Sequence, residues 1–141
     1  MVNILVDTGF WYGLYDKSDS YYYKANDLLD YLSLGTIIIP YPTLYETINT
    51  RIAKNTKGIS DFKRIIEKKQ TILIEDNLYK SEALDLTFNS SIYLNKPYSL
   101  VDMVIRLMLE DENLKINYLI SFNPKDFIDI CSKRRIEILS A

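Results

Sequence analysis

The 141-residue chain contains no histidine and a single cysteine, Cys131. The first absence removes the usual zinc sites, and the second removes an intramolecular disulfide. Any metal here must be held by oxygen, which favours magnesium or manganese, hard cations that prefer carboxylate and water. No apolar run approaches the roughly 20 residues needed to span a bilayer. The longest, such as Ile37-Ile38-Ile39, are strand-sized. No basic stretch precedes a long apolar one at the amino terminus, so no signal peptide is expected and a cytoplasmic location is the default. Neither sign of charge is in large excess. A net charge of −2 does not mark the whole protein as a nucleic-acid binder, and local basic clusters would have to do that work. Internal repeats, low-complexity tracts and linkers are also absent.

What is present is globular composition, 48% hydrophobic and 26% charged. A length near 150 residues lets roughly 70% of the unfolded chain's surface be buried. One domain over residues 1–141, with one core, is expected.

The chain is organised around Val2-Asn3-Ile4-Leu5-Val6-Asp7-Thr8-Gly9. A run apolar on both faces suits the middle of a parallel sheet covered by helices. Asp7 falls at its carboxyl end, where open α/β sheets place their sites. A short helix over Phe10–Tyr15 is expected next, then a longer one from about Tyr21 to Leu34, closed by Gly35 as a C′ residue. Thr36–Ile39 reads as the second strand, and Thr43-Leu44-Tyr45-Glu46 opens a helix running to about Lys54. Asn55–Gly58 reads as a loop, Ser60–Lys69 as a helix and Thr71–Ile74 as the third strand. Asp76 or Asn77 is placed to cap a helix from about Leu78 to Phe88, broken by Asn89-Ser90-Ser91. Ser99 starts the most apolar helix, Leu100 to about Glu110. Tyr118–Ser121 is the fourth strand, Asn123–Asp126 a turn, and Ile136–Leu139 a short last strand. Alternating strands and helices predict a parallel sheet of four to five strands with right-handed crossovers.

Four places then put an oxygen ligand at one sheet edge: Asp7, Glu46, Asp102 and the Asn123/Asp126 turn. Carboxylates crowded there repel one another, and each has a raised pKa unless a cation compensates. A divalent metal in such a site lowers the pKa of a bound water and stabilises charge growing on a phosphate. Plainer roles are open to each residue alone. Thr43-x-x-Glu46 and Ser99-x-x-Asp102 both match the capping box. Asp102 and Arg106 could form an i, i+4 pair worth about 0.3–0.5 kcal/mol. Asp7 could cap a turn, and Asp126, just before Phe127, could cap a short helix. Asp102 tilts the balance, because a charge in so apolar a helix is costly to bury without a partner.

These residues resemble a PIN-domain ribonuclease, the fold of VapC-type toxins of prokaryotic toxin–antitoxin pairs. The matching pieces are Ile4–Phe10, Pro42–Glu46, Ser99–Asp102 and Leu119–Phe127, in an order and spacing that cover nearly the whole chain. The resemblance implies a three-layer α/β/α sandwich and a magnesium- or manganese-dependent endonuclease activity on RNA. It also implies frequent homodimers and a cognate antitoxin that blocks the site. Asp7, Glu46 and Asp102 carry over as metal ligands. Asn123 stands where the family often has an acid, so either its carbonyl oxygen or Asp126 completes the site. Asp19 resembles a weaker position at the rim, and Thr8 and Ser121 sit where the family places hydroxyls.

RNA would be gripped by Arg51, Lys54, Lys57, Lys63, Arg64, Lys68 and Lys69 or by Lys133-Arg134-Arg135, with some of the 12 tyrosines available for stacking. Solvated helix faces and core tyrosines are the plainer reading of most of these. The alternative function is an inactive PIN-like module that binds RNA or a protein. A phosphatase on a similar sheet usually wants a second aspartate two residues after the first, where this chain has Gly9.

Overall fold

Short β-branched runs make the five strands of one sheet in the computed structural model, which describes residues 2–140. They are β1 (Val2–Val6), β2 (Gly35–Pro40), β3 (Thr71–Ile74), β4 (Tyr118–Ile120) and β5 (Glu137–Leu139). The order is β3-β2-β1-β4-β5 with every pairing parallel, so β1 lies at the centre. Register pairs Ile4 with Ile37 and Leu5 with Ile38 on one side, and Leu5 with Leu119 and Val6 with Ile120 on the other.

Successive side chains leave a strand on opposite faces, and this alternation builds two cores. Ile4, Val6, Ile37, Ile39 and Ile120 face one core. That layer is completed by α1 (Thr8–Tyr15), α2 (Tyr22–Leu28), Leu44 of α3 (Tyr41–Thr47) and Phe62 of α5 (Thr56–Ile66). Leu5, Ile38 and Leu119 face the other, under α6 (Lys80–Ile92), α7 (Leu100–Glu110) and α8 (Ile128–Arg134). The result is the expected three-layer α/β/α arrangement. Burying one side chain such as Phe10 contributes about 1.5–3 kcal/mol, so the two cores carry most of the stability. Among the described residues no helix is long and apolar enough to cross a membrane.

Several elements differ from the sequence reading. The helix expected over Tyr21–Leu34 is α2 followed by a 3-10 segment, Leu29–Leu34. Gly35 is not a left-handed cap: its φ is −174° and it is the first residue of β2. Glycine is needed there because a Cβ would stand 2.1 Å from the Val2 carbonyl oxygen, where β1 and β2 meet. The helix expected from Thr43 to Lys54 starts earlier, at Tyr41, and breaks at Ile48-Asn49 before α4 (Thr50–Ala53). Thr43 therefore does not cap it; the Thr43 hydroxyl lies inside the first turn and donates to the Pro40 carbonyl at 2.7 Å.

Asn55 converts the expected loop into the start of α5 by accepting from the Gly58 N–H at 3.0 Å. No side chain caps α6, which runs through Asn89-Ser90-Ser91 to Ile92. Helix α8 lies where a short helix capped by Asp126 was one reading, but Phe127, not Asp126, stands at its N-cap and no side chain caps it. The remaining strands and α7 fall where the apolar runs placed them.

Candidate active site

Asp7 follows the last residue of β1 and is 6% exposed. Its backbone N–H still belongs to the sheet, donating to the Ile120 carbonyl at 2.9 Å, while the side chain caps α1. Oδ1 accepts from the Thr8 N–H at 2.8 Å, and Oδ2 accepts from the Ser121 hydroxyl at 3.0 Å. Ser121 in turn accepts from the Asn123 N–H at 3.1 Å. The turn after β4 is thereby fastened to the end of β1. The plain cap and the candidate site residue are one side chain.

Glu46 comes from α3 on the other side of β1. Its carboxylate accepts from the Thr8 hydroxyl at 2.8 Å, so neighbouring residues Asp7 and Thr8 touch two different parts of the site. The Glu46 carbonyl is held as well, by the Tyr12 hydroxyl and by Asn49 Nδ2 at 2.9 Å. Asn49 Nδ2 also donates to the Tyr12 hydroxyl at 3.0 Å. Tyr12 and Asn49 were not singled out from the sequence. Their contact joins α1 to the break between α3 and α4, and nothing in local spacing announces it.

Asp102 sits in the first turn of α7, where its N–H donates to the Ser99 hydroxyl at 3.0 Å. The expected cap is present. The Asp102 carboxylate makes no pair with Arg106. That guanidinium instead grips Asp129 with two bonds of 2.9 and 2.7 Å, donates to the Asp126 carbonyl at 2.6 Å and lies over the Tyr98 ring at 4.4 Å. Arg106 thus ties α7 to the 3-10 turn Pro124–Asp126 and to α8.

Electrostatics shows which of these groups feel one another. Burial raises the Asp7 carboxyl from the ordinary 3.8 to about 6; the charge of Asp102, and less strongly that of Glu46, pushes the same way against the two hydrogen bonds. Burial also raises Asp102, with the charges of Asp126 and Glu46 adding to it and the Ser99 contact and Arg106 opposing. Asp7, Glu46, Asp102 and Asp126 are therefore brought within Coulombic reach at one sheet edge. Asn123 stands beside them, joined through its N–H to Ser121, with its side chain exposed. Asp19 is turned to another task, accepting from the Tyr21 N–H at 2.8 Å.

Among the described residues no three acids or thiols are already gathered into a metal cage. The donor set is all oxygen, and the buried Asp7 faces other acids with no cationic partner among the described residues. Magnesium keeps several waters and takes one or two carboxylates directly, so this open arrangement fits it. A groove of about 330 Å³ opens beside Glu46 between α3 and α7, with Tyr45, Leu100 and Val104 in its walls.

The basic groups are less available than their number suggests. Arg51 pairs with Asp16, Lys57 and Arg64 with Asp61, Lys63 with Glu67, Lys133 with Glu110 and Arg134 with Glu112. Several tyrosine rings pack on neighbours; Tyr21 stacks on Phe122 at 4.5 Å and Tyr15 on Trp11 at 6.4 Å.

No model of a known protein family matches the sequence, and no curated protein matches it. Among solved structures, VapC20 of Mycobacterium tuberculosis, a sarcin–ricin-loop-cleaving toxin, superposes with a TM-score of 0.69. The match covers 89% of this chain and 94% of that one at 16% identity, so it speaks to the fold. A five-stranded parallel sheet in this order, helices on both faces and a near full-length superposition give one conclusion: the chain has the fold of a VapC-type PIN domain.

Proposed function

We propose that the protein is a metal-dependent endoribonuclease, the toxin of a type II toxin–antitoxin pair, that hydrolyses RNA phosphodiesters. The observation that carries the reading is Asp7: a carboxylate buried at the end of the central strand, among other acids, with no cation beside it among the described residues. Such a group is costly to keep unless a ligand uses it. The fold shared with an RNA-cleaving toxin supports the substrate class.

In this reading Asp7, Glu46 and Asp102 hold magnesium or manganese, with Asn123 or Asp126 completing the set. A cation held there would supply an acidified water and stabilise charge on the phosphate. The chain's own part is positioning. Thr8 and Ser121 fix both oxygens of Asp7, and the Thr8 hydroxyl also orients Glu46. Arg106 holds the turn carrying Asp126 through its backbone carbonyl. A homodimer, a blocking antitoxin and a cytoplasmic location belong to the same proposal. Leu84, Phe88 and Ile92, exposed at i, i+4 and i+8 along α6, offer a second copy an apolar stripe to bury.

The test is cleavage of RNA by purified protein in magnesium or manganese. Activity that disappears in chelator and in Asp102→Asn supports the reading; activity that survives either refutes it. The exposed, uncharged Asn123 favours the second reading, an inactive binding module. RNA affinity without cleavage or metal uptake selects it.

A further inference from the structure

A cavity of about 190 Å³ lies between α1 and the chain from Asn49 to Asn55, apart from the acidic cluster but attached to it. Tyr12 is the link: it lines the cavity, and its hydroxyl donates to the carbonyl of Glu46. Thr8, which touches Glu46 from the other side, is four residues earlier on the same helix, about 6 Å along its axis at 1.5 Å per residue. The walls combine aromatic surface from Tyr12 and Tyr15, backed by the fully buried Trp11, with the charged pair Arg51–Asp16. Two buried donors in those walls, Trp11 Nε1 and Tyr15 Oη, have no hydrogen-bond partner among the described residues. The Arg51 side chain is 75% exposed and its partner Asp16 29%.

We infer that this cavity is a nucleotide subsite that takes one unstacked RNA base next to the bond that is cut; the inference rests on the ribonuclease reading of the neighbouring acids. Single-stranded RNA is recognised by splaying bases onto aromatic rings and hydrogen-bonding their edges. The cavity supplies the rings of Tyr12 and Tyr15. Arg51 supplies a cation able to exchange a carboxylate for a phosphate, to which guanidinium binds in fork geometry. Arg51 lines the same cavity as Tyr12, whose hydroxyl reaches the Glu46 carbonyl.

Trp11 is the sole tryptophan, so its indole N–H signal and its fluorescence report on the cavity without ambiguity. The experiment titrates the four ribonucleoside 5′-monophosphates and ribose 5-phosphate into metal-free protein in chelator. At least one nucleotide is expected to shift the Trp11 signals with a dissociation constant on the order of 1 mM. Ribose 5-phosphate should leave them unmoved, and Arg51→Glu should weaken the nucleotide roughly tenfold, as loss of one charged contact does. Silence of all four nucleotides overturns the inference, and so does an equal response to ribose 5-phosphate. A basic or apolar peptide that moves Trp11 where nucleotides do not assigns the cavity to a protein partner and overturns it as well. Because no cleavage is read, the result is separate from the ribonuclease proposal. Nucleotide binding with metal-independent cleavage would sink only the latter, and metal-dependent cleavage without nucleotide binding only the former.

Discussion

Asp7→Asn is expected to make the metal-free protein more stable at neutral pH while removing its activity. The carboxyl is raised from the ordinary 3.8 to about 6, chiefly by burial. At 1.36 kcal/mol per pH unit, that difference is worth about 3 kcal/mol. The sign follows from linkage. A group whose folded pKa lies above its unfolded value contributes stability that is fully present below about pH 4 and is lost as pH rises through about 6. Above that, the folded protein holds an unwelcome charge that asparagine does not carry. The substituted amide still offers a carbonyl oxygen to the Thr8 N–H, and the Ser121 hydroxyl can turn to accept from its NH₂ group, so both contacts persist in weaker form.

The assay is thermal melting of both proteins in chelator from pH 4 to 8. At about 2–4 °C per kcal/mol for a chain near this size, Asp7→Asn should melt up to about 10 °C higher at pH 8, with the gap closing toward pH 4. Added magnesium should raise the melting point of the wild type and leave the variant unmoved. A variant equal to or less stable than wild type at pH 8, or a gap that ignores pH, would refute the reasoning.

Two further outcomes follow from the same contacts. Ser121→Ala removes a donor that stabilises the Asp7 carboxylate, so the pH at which stability falls should move above that of the wild type in the same melts. Arg106→Ala breaks the fork to Asp129, the bond to the Asp126 carbonyl and the packing on Tyr98, at a cost of about 1.5–3 kcal/mol, measurable by denaturant unfolding. Asp129 is held down to about 2 by Arg106, so its contribution is present above about pH 4 and is lost as pH falls through 2; acid unfolding of Arg106→Ala should lack that component.

The sheet was legible because its strands are β-branched, apolar on both faces and bounded by turn residues, and two cores need that pattern. That Asp7, Glu46 and Asp102 come within Coulombic reach of one another followed from the parallel topology, which brings strand ends and the helices after them to one edge. Local signals misled where tertiary contact decides. Gly58 reads as a loop residue, yet it lies in the first turn of α5, tucked so close under the Asn55 cap that a Cβ would meet Asn55 Nδ2 at 2.8 Å. Ile128-Asp129-Ile130 is a poor helix sequence, and α8 forms around the buried Cys131 and the Arg106 fork. The Asp102–Arg106 spacing suggested a pair along one helix, but a better-placed acid across the fold, Asp129, takes the guanidinium. Tyr12 and Asn49 reach Glu46 only through folding, and no periodicity encodes that.

The claim on which the account depends is that acids from three distant segments share one cation at the end of β1. Manganese soaked into crystals of the protein tests it most directly, because its anomalous signal marks the ion. A single peak within coordination distance of Asp7 and Asp102, absent in Asp7→Asn, is the expected result. Manganese bound elsewhere, or no peak at this edge under saturating metal, would contradict it.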